Sequence, residues 1–279
     1  MTVKIFIKNI HKKIIAHRLF FSVLVMAVLC LLLLPSTPIY KRGVQKLWNM
    51  GDRRLAYYLN RDDANLAFTM GDYYFGGVTY DLDKAIGAYN LAVKLESNIL
   101  WGHYQLARIY FVEGDQTKAT QEINAELAAN PANLRSLYVR GLIEDGQGNL
   151  LAAEADFTRF VAWAPSEWGG YNDLSYVQAE EGKYAQSEAT INQALKNIPG
   201  AKDIPWLWNS LGLAQLNELH YREAQTSFQK ALTLAKQITP IEWHRAYSGN
   251  DPAVTVQSIA NFKNAIQANI LTSQQASTL

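Results

Sequence analysis

Small and apolar residues recur along this chain at helical spacing, and the whole pattern then repeats. Small residues stand at Gly71, Ala107, Gly141, Ser175 and Gly212, separated by 36, 34, 34 and 37 positions. A second series, Ala85, Ala119, Ala153, Ser187 and Ala224, runs at 34, 34, 34 and 37. Two landmarks sharing one period predict a stacked array of short units rather than an enclosed enzyme core. Ahead of the first landmark, apolar or aromatic residues sit four positions back at Ala67, Leu137, Tyr171 and Trp208, with His103 the exception. Beyond the second, Tyr89, Ile123, Phe157, Ile191 and Phe228 follow after four positions, then Ala92, Glu126, Phe160, Ala194 and Ala231 after three more. Each spacing lays an apolar stripe along a helix, so each unit is predicted to be a pair of helices. Asn130-Pro131, Ala164-Pro165 and Ile198-Pro199 end second helices, because proline restricts the residue before it and cannot continue the ladder.

The unit Trp208-Asn209-Ser210-Leu211-Gly212, with Tyr221, Ala224, Phe228 and Ala231, resembles the tetratricopeptide repeat (TPR) family. Leu106-Ala107, Tyr110, Ala119 and Pro131 carry the same resemblance in the second unit. The unit around Gly141 departs from it at Arg140 and Glu144. The first unit has two extra residues, and its turn from Gly77 to Ala85 is similar to that of Sel1-like repeats. The resemblance implies an all-α, right-handed α-solenoid of about five helix-turn-helix repeats over residues 64–236.

Outside the repeats, residues 19–34 are apolar except Ser22. As a helix this run spans about 24 Å, and flanking residues extend it towards the roughly 30 Å of a hydrocarbon core. Lys4, Lys8, Lys12, Lys13 and Arg18 precede it without an acidic residue. These features predict a retained transmembrane helix rather than a cleaved signal, since residues 34–38 offer no pair of small residues for cleavage. The expected topology is single-pass, with the N-terminus cytoplasmic and the repeats on the far side. The domain reading is then a basic tail at 1–18, an anchor at 19–40 and a connector helix at 41–63. The repeats follow at 64–236, a turn and capping helix at 237–271, and a mobile tail at 272–279. In the capping helix Ile259, Phe262, Ile266 and Ile270 share one face, as a solenoid end requires.

Of the 279 residues, 26 are basic and 25 acidic. All the acidic ones follow Tyr40, leaving the repeat-bearing part mildly acidic and a poor match for nucleic acid. Cys30, within the apolar run, is the only cysteine, so the repeats form neither a disulfide nor a thiolate metal site. No phosphate loop, zinc-helix histidine pair or nucleophile elbow is present. We therefore expect no catalytic residue, no cofactor and no metal site.

In the TPR family the first helices line a concave groove. By resemblance, the groove positions here include Trp101, Tyr104, Arg108, Arg135, Tyr138, Asn172, Tyr176, Trp206 and Asn209. Aromatic residues and arginine anchor partners at interfaces. Asn172 and Asn209, at equivalent places in adjacent units, have amides able to hold a peptide backbone. The leading expectation is a non-catalytic, membrane-anchored scaffold or assembly factor that binds a protein or peptide. The alternative is a glycan-binding accessory of envelope polysaccharide assembly, with Trp101, Tyr104, Tyr138, Tyr176 and Trp206 stacking on sugar faces. A third reading is an enzyme using residues 242–251, around Glu242, His244 and Asp251.

Overall fold

Five antiparallel helix pairs stack side by side in the computed structural model, which describes residues 37–278 except 77, 78 and 248, together with Met26. Two short helices, α1 (Pro38–Asn49) and α2 (Arg53–Leu59), lead into the array. The pairs are α3 (Ala64–Phe75) with α4 (Leu82–Leu95), and α5 (Gly102–Val112) with α6 (Gln116–Ala129). Next come α7 (Arg135–Gly146) with α8 (Leu150–Trp163), and α9 (Trp168–Glu180) with α10 (Tyr184–Asn197). The last pair is α11 (Pro205–Asn217) with α12 (Tyr221–Ala235). A short α13 (Pro240–Ala246) and a long α14 (Thr255–Ala276) complete the chain.

The two sequence landmarks meet in space. A Cβ on Gly141 would lie 2.7 Å from the Phe157 ring, and one on Gly212 would lie 2.6 Å from the Phe228 ring. Gly71 is covered in the same way by Tyr89. Where the second helix offers isoleucine instead, at Ile123 and Ile191, the first helix carries Ala107 and Ser175. An aromatic ring therefore goes with glycine and a branched aliphatic with alanine or serine, so that volume across each crossing is conserved. In the fourth pair Ser175 and Ser187 Oγ atoms also share a 2.8 Å hydrogen bond, which satisfies both buried hydroxyls.

Local chemistry sets the helix starts. Asp63, Asp81 and Asp115 accept from the amides of Leu66, Lys84 and Lys118, capping α3, α4 and α6. Gly114, Gly148 and Gly182 turn the chain within pairs two to four at φ of +79°, +77° and +75°. In the fifth pair Leu219 takes that place at φ +66°.

Two departures from the repeat pattern have structural explanations. Arg140 forms a two-pronged ion pair with buried Asp156, at 2.6 and 2.8 Å, matching the fork of a guanidinium to a carboxylate. Glu126 is fully buried in α6. It accepts from the backbone amides of Trp101 and Tyr104 at 3.1 and 3.2 Å and from Asn133 Nδ2 at 2.9 Å. Trp101 supplies no side-chain cap to α5, so a carboxylate from the neighbouring helix satisfies those amides.

At the ends, Trp48 of α1 packs against the core of the first repeats. At the other end Ile266 of α14 is buried against Phe228, Ala231 and Ala235, with Phe262 and Ile270 beside it. This is the C-terminal capping helix, and it runs to Ala276, beyond the expected end at residue 271.

The transmembrane expectation is overturned. Among the described residues no helix is long and apolar enough to cross a membrane. The helices there alternate buried and exposed faces; even α14, the longest, carries exposed Gln257, Asn261 and Asn264 on the side away from its apolar stripe. The single-pass localisation and its orientation are corrected accordingly, and the membrane as a partner is not supported. Residues 19–34, on which that expectation rested, lie outside the described residues.

Candidate functional site

The first helices of the pairs line the concave face, and the chain's own C-terminal segment lies across it. A capping box formed by Thr239 and Glu242 starts α13. Trp243 then buries itself against Trp206 and Ile259. The ring of Tyr247 follows, 4.7 Å from that of Trp243 and 5.9 Å from that of Trp206. Beyond it, the Gly249 carbonyl accepts from the Tyr80 hydroxyl at 2.8 Å. A Cβ on Gly249 would come within 3.0 Å of Arg108 Nη2 and 3.1 Å of the Phe75 ring. The segment is thus a strap that joins the last repeat to the first two.

Beneath the strap remains a cavity of about 450 Å³, lined by Tyr104, Arg108, Arg135, Tyr138 and Asn172 among others. Five of the nine expected groove residues therefore share one site. Arg108 lies over the Phe75 and Tyr104 rings at 5.0 and 5.7 Å, and its Nη1 donates to Gln105 Oε1 at 2.8 Å. Half-exposed Arg135 pairs with Glu167 at 3.0 Å. The Tyr138 ring packs on Phe160 with centroids 4.9 Å apart.

Asp173, which sequence reasoning passed over, organises the floor. The Tyr138 hydroxyl donates to its Oδ2 at 2.6 Å and Asn172 Nδ2 to its Oδ1 at 3.0 Å. Ser210 Oγ then donates to Asn172 Oδ1 at 2.9 Å, tying the fourth unit to the fifth. Burial lifts the Asp173 carboxyl to about 6 against the pull of those two donors, and the Asp145 charge adds to the rise. Burial, followed by the Asp173 charge, raises the Tyr138 and Tyr247 hydroxyls. The pattern held one cue to this residue: a carboxylate on a first helix, two places before a small landmark.

The other four expected residues lie elsewhere. Trp101 stacks edge-on against Tyr104, centroids 5.0 Å apart, at a backbone φ of +72°. Tyr176 is exposed outside the cavity lining. Trp206 is buried at 8% exposure, with Trp168, Trp243, Tyr247 and Phe262 around it. Asn209 buries its Oδ1 without a hydrogen-bond partner and does not line the cavity. Asn172 and Asn209 thus present no matched pair of amides. Nor do the five aromatics form an open platform for sugars, because Trp206 is buried and Trp101 and Tyr176 lie outside the cavity lining; the glycan expectation is not supported. In the segment 242–251, Glu242 caps a helix, Trp243 fills a core and Asp251 caps the turn at Pro252–Val254.

Among the described residues, Glu188, Glu218 and His220 bring metal-ligating atoms within 4.8 Å of one another on the α10–α12 side. Gln215 Nε2 holds Glu188 at 3.1 Å, and a hydrogen bond to Glu188 raises the Glu218 carboxyl.

The stacked helix pairs find many counterparts among solved structures. YrrB, a TPR protein with an unusual peptide-binding site, superposes with a TM-score of 0.53 at 17% identity, over 66% of this chain and 93% of its own. The fold is that of the TPR proteins. The TPR fold here extends to PilW, a type IV pilus biogenesis factor, with a TM-score of 0.56 at 17% identity over 77% of this chain and 97% of PilW. A tetratricopeptide repeat protein from Parabacteroides merdae matches at 0.52 and 15% identity, over 86% of each chain. No protein-family model matches the sequence, and no curated protein matches it. At these identities the likeness concerns the TPR fold alone.

Proposed function

We propose that this protein is a non-catalytic scaffold that holds a peptide or protein segment in the cavity under its strap. One observation carries the reading: the concave face already holds a piece of chain, its own. The Tyr80 hydroxyl on the Gly249 carbonyl and Trp243 in its aromatic nest are contacts a peptide ligand would make. Beside them, Arg108, Arg135, Tyr138 and Asn172 leave room for a further segment. Arginine and tyrosine in such a cleft suit a peptide carrying a carboxylate and an apolar side chain. YrrB, with its peptide-binding site, and PilW, a biogenesis factor, are examples of what this fold accommodates.

The test is photo-crosslinking in intact cells from position 135, at the cavity, and from exposed position 230 on α12. A defined adduct from 135 that is absent from 230 supports the reading. Identical adducts from both positions, or none from 135, sink it.

A further inference from the structure

A second cleft lies away from the groove, at the first-repeat end, with a volume of about 880 Å³ between α2, α3 and α4. Four cations face it: Arg53, Arg54, Arg61 and Lys84. Asp52 is the one carboxylate in its lining. The Arg53 guanidinium lies 5.4 Å from the Trp48 ring and 5.7 Å from the Tyr73 ring. Arg61 sits over Tyr57 at 4.3 Å. Ring faces hold a guanidinium in place without neutralising it. Among the described residues Arg53, Arg54 and Arg61 make no ion pair, whereas Lys84 is bonded to Asp81. Three guanidiniums without an ion pair line one cleft beside a single carboxylate, so its net positive charge favours an anion there. The Tyr58 ring at the rim is 76% exposed, with Leu55 at 41%, giving apolar surface next to the charge.

We propose that this cleft is a binding site for a phosphoryl group. The guanidinium fork suits such a group because its paired N–H donors match two oxygens at once, and a doubly charged oxyanion can bridge several arginines. The exposed Tyr58 ring suits the organic part of a phosphate ester. This site is separate from the groove and stands whether or not the groove binds peptide.

Titration of the full chain with phenyl phosphate and with inorganic phosphate, followed by phosphorus NMR at low ionic strength, tests the proposal. The expected result is saturable binding that weakens about tenfold in Arg54→Gln and in Arg61→Gln and is unchanged in Lys230→Gln. Phenyl phosphate binding tighter than inorganic phosphate supports an ester as occupant; equal binding supports the free ion. Arg54→Gln removes no ring contact, so it separates loss of charge from loss of packing; circular dichroism checks its fold. Absence of saturation, or full affinity retained in an Arg54→Gln/Arg61→Gln double variant, overturns the proposal.

Discussion

The Tyr80 hydroxyl donates to the Gly249 carbonyl at 2.8 Å, joining two residues 169 positions apart. That bond ties the turn of the first repeat to the strap that follows the last one. An open array buries each unit only against its neighbours; here one contact also spans the concave side. Tyr80→Phe is expected to lower stability by about 1 kcal/mol and to speed amide hydrogen exchange at residues 243–251 more than elsewhere. Uniform exchange across the chain would refute a strap held at this point.

Gly249→Ala tests the same closure from the other side. Its φ of +117° suits glycine alone, and the added Cβ would press on Arg108 and Phe75. A loss of about 1–3 kcal/mol is expected by chemical denaturation. A neutral result would mean that the strap shifts freely.

The pairing of glycine with ring and of alanine with isoleucine predicts a rescue. Gly212→Ala drives a methyl into the Phe228 ring and is expected to cost about 1–3 kcal/mol. Adding Phe228→Ile recreates the Ala107–Ile123 arrangement and is expected to recover part of that loss. A double variant no more stable than Gly212→Ala would show that the crossing is not governed by volume.

Glu126→Ala strips buried amides at Trp101 and Tyr104 of their acceptor. The expected loss is about 3 kcal/mol, seen as a lower urea midpoint at unchanged m-value. Glu126→Gln, which keeps an acceptor oxygen, should lose less. Equal losses in the two variants would assign the role to charge rather than to capping.

Asp173 contributes a stability that depends on pH. Its folded-state carboxyl titrates at about 6, against about 4 in an unfolded chain. Between those values the folded state keeps a proton that the unfolded state releases. The group's contribution is therefore full below about pH 4 and lost as pH rises through about 6. Asp173→Asn should gain on the parent protein across that window when melting temperatures are compared. Parallel profiles would place the carboxyl in an ordinary environment.

Much of the fold was legible because its determinants are local. A period near 34 residues, apolar stripes at helical spacing and proline helix ends all act within one helix pair and its neighbour. The departure at Arg140 was visible as a break in the pattern, but its meaning was not, and Glu126 was read only as one member of a repeating series. Asp156 and the Trp101 amide, which explain them, become neighbours only after the helices pair. The groove was legible as a face, and five expected residues meet at one cavity; Asp173, which orders its floor, carried too weak a cue.

From sequence alone came the array, the helix pairs, the C-terminal cap and the face on which a site would form. Tertiary structure decided how that face is used. The strap buries Trp206 and reaches Tyr80 through contacts distant in sequence, and no periodicity encodes a contact made once. A repeat pattern specifies what recurs, whereas a single long-range closure depends on the geometry of the completed stack.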